Sequence, residues 1–125
     1  MVHSDLPKNE PGRYGEYQTA QWLSKLNVPE MHLWFGLNHL EAVGDIDQLV
    51  GDPRVGLWVV EVKGHNIGQI AGYSRDKVEY SREGVKPHPA KKAQREAQCL
   101  STWLRDRLSG GRKPWVHSVV WWPNI

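Results

Sequence analysis

Glu61 and Lys63 stand two residues apart in LWVVEVK, residues 57–63, and Asp47 lies upstream in VGDIDQLV, residues 43–50. In a strand, side chains alternate, so Leu57, Val59, Glu61 and Lys63 share one face, and Trp58, Val60 and Val62 the other. A run this apolar implies burial on both sides, and a charge at the end of such a strand is costly unless something answers it. Two arrangements meet that cost: the pair emerges into solvent, or it faces a pocket where a metal ion and water take up the charge. Asp45 and Asp47 share a face of the preceding strand, one turn away from Glu61. Two carboxylates from adjacent strands can hold a partly hydrated Mg²⁺ or Mn²⁺. A cation held there acidifies water and neutralises a phosphate, while a lysine orients that water or stabilises developing charge. Lysine suits this better than arginine, because burial shifts its pKa whereas arginine stays charged. An Asp followed by Glu-x-Lys recurs by chance, so the weight falls on the elements that position the three.

The spacing predicts a helix over residues 13–27, with Glu16, Ala20, Leu23 and Leu26–Asn27 on one face and Pro29 closing it. Glu16 sits on that apolar face. It either joins the carboxylates or simply complements the helix dipole from the first turn. Residues 31–37, 43–50 and 57–63 read as strands, the last two joined as a hairpin by the turn GDPRVG, residues 51–56. Residues 64–86 suggest a small hairpin from Ile67–Ala71 and Val78–Ser81. Pro87 and Pro89 open a long helix over 89–109, striped by Ala90, Ala93, Ala97, Leu100, Leu104 and Leu108 and ended by Ser109-Gly110-Gly111. Residues 115–122 form a last strand, expected to join the sheet in parallel through that helix. The fold class is therefore α/β, a mixed sheet flanked by helices in α-β-β-β-α-β order. Residues 1–12, polar and broken by Pro and Gly, read as a flexible arm before a single domain over 13–125. The abrupt end on a strand suggests a domain cut from a longer chain, or a very compact one.

At 125 residues the chain has room for one core. A single cysteine, Cys99, excludes an internal disulfide framework and Cys-rich zinc motifs, and fits a reducing, cytoplasmic setting. The histidines at 3, 32, 39, 65, 88 and 117 show no helical zinc spacing. No signal-peptide pattern and no membrane-length apolar run is found. Charge is uneven: residues 1–62 carry 4 Lys/Arg against 9 Asp/Glu, giving −5, and residues 63–125 carry 12 against 5, giving +7. That is the look of an acidic metal pocket beside a surface for a polyanion, or of plain surface scatter. Lys91, Lys92 and Arg95 open the long helix and are candidates for phosphate contacts, against the plainer role of a solvated face. Trp22, Trp34, Trp58, Trp103 and Trp121 fit core positions, and Cys99 reads as an inert packed thiol.

The pieces GEYQTAQWL, GDIDQLV, GLWVVEVKGH and HPAKKAQREAQCL run through most of the chain, and together they resemble the nuclease-related domain (NERD) family of the PD-(D/E)XK nuclease superfamily. The resemblance implies a restriction-endonuclease-like core and a Mg²⁺- or Mn²⁺-dependent nuclease hydrolysing DNA phosphodiester bonds. It makes Asp47 the motif aspartate, Glu61 and Lys63 the Glu-x-Lys pair, Glu16 the helix-one glutamate, and Gln94 a polar residue near the site. It also implies that the backbone carbonyl of Val62 completes the metal shell formed with Asp47 and Glu61. Ile46, not proline, precedes Asp47, a departure tolerated in many members. Related nucleases often dimerise, so a homodimer is an expectation. A second reading stays open: a non-cleaving nucleic-acid-binding or targeting module, fused to or associated with a larger helicase, kinase or defence protein.

Overall fold

The computed structural model describes every residue except Asn27, His39, Glu41, Ala42 and Ser109. The helix ends expected at Asn27 and Ser109, and His39, therefore lie outside the described residues. The elements are α1 (Tyr14–Lys25), β1 (His32–Leu37), β2 (Ile46–Asp52), β3 (Gly56–Val62), β4 (Ile70–Tyr73), β5 (Lys77–Tyr80), β6 (Gly84–Pro87), α2 (Pro89–Arg105) and β7 (Val116–Trp121). A four-stranded sheet has the order β1-β2-β3-β7. The first three strands are antiparallel neighbours and β7 runs parallel to β3. This is the mixed sheet flanked by helices read from the sequence, with the crossover helix α2 returning the chain to β7.

Alternation along the strands splits the core in two. Leu49 and Val59 pack with Ala97 and Leu100 of α2 and Val116 of β7. Val50, one residue along from Leu49, packs with Leu33, Phe35 and Ala20 of α1. The sheet is thus buried on both faces, which is why β3 reads as a nearly unbroken apolar run. The turn between β2 and β3 is clamped by its own charges. Asp52 accepts hydrogen bonds from the Arg54 amide at 2.8 Å and from its guanidinium at 3.0 and 2.6 Å. Those bonds hold the Asp52 carboxyl down at about 2. At the other crossover, His88 caps α2 by accepting from the Ala90 amide, with Pro89 in the first helical turn.

Two expectations change. Residues 64–86 hold three short strands, β4-β5-β6, after a 3-10 turn at Ile67–Gln69, in place of one hairpin. All four residues of β6 are exposed, so it offers no burial alternation, and Pro87 ends a strand as well as introducing α2. The start of the 1–12 arm is tied down: the Leu33 amide donates to the Met1 carbonyl and the His3 amide to the Leu33 carbonyl, each at 2.8 Å. Ser4 and Phe35 exchange a further pair of bonds. The cause is the unpaired edge of β1, whose backbone groups need partners.

One contact sets where α1 sits. A Cβ on Gly15 would lie 2.8 Å from the Gly64 Cα, just past the end of β3, whereas a Cβ on Gly64 would meet Gly15 at an ordinary 3.5 Å. Gly15→Ala is therefore expected to cost about 1–3 kcal/mol by overpacking, and Gly64→Ala under about 0.5 kcal/mol. Denaturant unfolding of the two variants checks this; equal losses would contradict the close approach.

Candidate active site

The β2–β3 ladder runs from Asp52/Gly56 to Gln48/Val60, a register that sets Asp47 opposite Glu61. Past the ladder's end the backbone amide of Val62 donates to Asp47 Oδ2 at 2.9 Å. A carboxylate thus takes a donor that the next rung would otherwise use, and the two strands part at Asp47 and Glu61. Glu61 is buried to 2 % exposure. Lys63 follows it on the same face, its Nζ 3.7 Å from Glu61 Oε1.

From α1, Glu16 lines the same cleft as Asp47. It is placed by the Gly15–Gly64 approach and by Gln48, whose amide donates to the Glu16 carbonyl at 3.1 Å. Gln48 is fully buried, and strand alternation turns it towards α1 while its neighbour Asp47 faces α2. From α2 come Lys92 and Glu96, one turn apart on one face. Lys92 Nζ lies 3.2 and 3.4 Å from the two Glu61 oxygens and 3.6 Å from Glu96 Oε1. Glu96 is entirely buried, and neither of its oxygens has a hydrogen-bond partner among the described residues.

Four carboxylates, of Glu16, Asp47, Glu61 and Glu96, therefore face two ammonium groups, of Lys63 and Lys92. The titration behaviour follows. Burial, then the Asp47 charge and a hydrogen bond shared with it, raises Glu16 to about 7. Burial raises Glu96 to about 7, with Lys92 opposing and Glu61 and Asp47 reinforcing the rise. Burial and Asp47 also raise Glu61, against the pull of Lys92 and Lys63. Burial pulls the Lys92 ammonium down, but Glu61, Glu96 and Asp47 outweigh it and the net shift is upward. The pocket is short of positive charge.

That shortage fits a divalent cation. Among the described residues no three His, Cys, Asp or Glu side chains stand close enough to ligate one ion by themselves. Mg²⁺ does not require that: it keeps several waters and binds through one or two carboxylates. Asp47 and Glu61, on facing strands, are such a pair. Asp47, Glu16 and Lys92 line a cleft of about 630 Å³, walled on one side by the N-terminal segment, including Lys8, Glu10 and Arg13.

The structure brings Glu16, Asp47, Glu61 and Lys63 together as the sequence pattern indicates. Gln94 it does not. It is exposed on α2 and lines a separate cavity, because two residues along a helix turn about 200° and carry it away from the Lys92–Glu96 face. Among the basic candidates, Lys92 lies on Glu61, Lys91 pairs with Asp76 at 3.2 Å, and Arg95 is exposed, its guanidinium near Gly44. Sequence reasoning missed Glu96, although its place between Ala93 and Leu100, at i+3 and i−4, sits inside the apolar stripe. Trp22 and Trp121 are not core residues: they stack on each other at 6.1 Å and stay 55 % and 43 % exposed.

A mixed sheet between two helices, with a Glu-x-Lys strand end facing an aspartate, is the arrangement of a nuclease-like α/β domain. A family model described as the nuclease-related domain, NERD, matches residues 11–123, and the chain belongs to that family. Comparison with curated proteins and with solved structures gave no match. Among the described residues no helix is long and apolar enough to cross a membrane.

A carboxyl whose folded pKa is raised binds its proton more tightly in the folded state. The stability it contributes is complete below the unfolded pKa, near 4.5, and is lost as pH rises through about 7. Without metal, Glu96→Gln is expected to raise the thermal midpoint relative to wild type at about pH 8 and to close that gap at about pH 5. Thermal melts in EDTA across this range check it; a difference independent of pH contradicts it.

Proposed function

We propose that this domain is a Mg²⁺- or Mn²⁺-dependent nuclease that hydrolyses DNA phosphodiester bonds. The observation that carries the reading is the excess of carboxylate, two groups buried and two half-buried, over ammonium at the gap where β2 leaves β3, within the family's Glu-x-Lys setting. Asp47 and Glu61 would hold the cation. The Val62 carbonyl is a third candidate ligand: in an extended strand N–H and C=O point the same way, and the Val62 amide points at Asp47. A divalent cation bound there supplies positive charge to the scissile phosphate and lowers the pKa of water.

The chain's own groups do the rest. Lys63, on the Glu61 face, orients the attacking water and stabilises charge developing on the phosphate. Glu16, with a carboxyl at about 7, exchanges a proton with water near neutral pH. Lys92 holds the Glu61 carboxylate at both oxygens and is, beside Glu96, an α2 residue at the site, the place expected of Gln94. A cation held on Glu61 would leave Lys92 free to meet the phosphate. Arg13 and Lys8, on the N-terminal wall, add positive charge on the approach to the cleft.

Incubation with plasmid and single-stranded DNA, in Mg²⁺, Mn²⁺ or EDTA, tests the reading. Cleavage is expected with either metal and not in EDTA, and Glu61→Gln and Lys63→Ala are each expected to lower it about a hundredfold or more, with circular dichroism unchanged. Undiminished cleavage by both folded variants would sink the assignment.

A further inference from the structure

We propose that the cavity between α2 and the start of β7 binds an unpaired nucleobase of a single-stranded nucleic acid. This deepens the nuclease reading and rests on it, by naming the form of strand the domain grips. The cavity has a volume of about 710 Å³ and lies apart from the carboxylates. One wall is a continuous aromatic series. The Trp115 indole N–H donates to His117 Nδ1 at 3.1 Å, and the His117 ring lies flat on Trp58, with centroids 4.3 Å apart and planes within 17°. Trp58 is fixed in turn by its indole N–H on the Val55 carbonyl at 3.0 Å.

Trp115 stands nearly perpendicular to His117, at 75°, and is 78 % exposed. Its N–H is engaged, so its orientation is set while its π-face is left bare. The backbone beneath it is pinned as well, because the Ser101 hydroxyl donates to the Pro114 carbonyl. A preset, uncovered indole offers stacking at little entropic cost, and stacking on an aromatic ring accepts any base.

The opposite wall supplies an edge. Gln94 and Gln98, one turn apart on α2, line the cavity with exposed amides, each offering two donors and an acceptor to a base edge. Lys113 is the charged residue among those lining the cavity, and no carboxylate is among them. A flat face, a hydrogen-bonding edge and a cation match the three parts of a nucleotide. In duplex DNA the bases are stacked on one another and withheld from such a wall, so the cavity selects unpaired ones.

The test is equilibrium binding of a fluorescein-labelled oligothymidine to the whole chain, by anisotropy in EDTA so that cleavage plays no part. Trp115→Ala is expected to weaken binding about tenfold, Trp115→Phe to retain most of it, and Lys113→Ala to lessen its salt dependence. Affinity for a blunt duplex is expected to be the same in wild type and Trp115→Ala. Absence of oligothymidine binding by the wild type, equal affinity of wild type and Trp115→Ala, or an equal loss on duplex would each overturn the proposal. Failure of metal-dependent cleavage, by contrast, overturns the nuclease reading and leaves this binding comparison intact.

Discussion

Like charges repel most where water cannot screen them, and this fold gathers four carboxylates, two buried and two half-buried, in one place. Asp47 and Glu61 face each other across two strands, Glu16 arrives from one helix and Glu96 from the other. Only Lys63 and Lys92 oppose them. Burial first, and the neighbouring carboxylates after it, favour the protonated form, which is why Glu16 and Glu96 rest at about 7. The rest of the structure can be understood as what holds these groups together against that repulsion. The two apolar layers seat α1 and α2 on opposite faces of the sheet. The Gly15–Gly64 approach brings Glu16 within reach of Asp47, and the end of the β2–β3 ladder leaves room between the strands.

Much of this was legible in the sequence, for identifiable reasons. The apolar run of residues 57–62 announces a strand buried on both sides, and alternation alone puts Glu61 and Lys63 on one face. The hairpin to Asp47 follows from the Gly, Asp and Pro of the turn. Long α2 declares itself by its alanine and leucine stripe. These signals are local and periodic, so tertiary context has little to overrule.

What escaped has physical causes too. Glu96 lies inside the apolar stripe of α2, but a stripe traced through apolar residues alone passes over a charge. Gln94 was carried to the site by family pattern, and helix geometry moves it to another face. The strands β4 to β6 are only four residues each; β5 alternates exposed and buried residues, but β6 is exposed throughout and leaves no alternation to read. The pairing of residues 1–4 with β1 serves an unpaired sheet edge, a need with no signature in the residues that meet it. Trp22 and Trp121 look like core residues by type, and only the packing shows them at the surface.

The central claim is that this carboxylate cluster is built around a divalent cation. Its most direct test is isothermal titration of Mn²⁺ into the protein near pH 7, repeated in two buffers of different ionisation enthalpy. The account predicts saturable binding, with protons released as Glu16 and Glu96 give up theirs to the incoming charge, and loss of that binding in Asp47→Asn. No saturable heat in the wild type, or the same isotherm in Asp47→Asn, would contradict it.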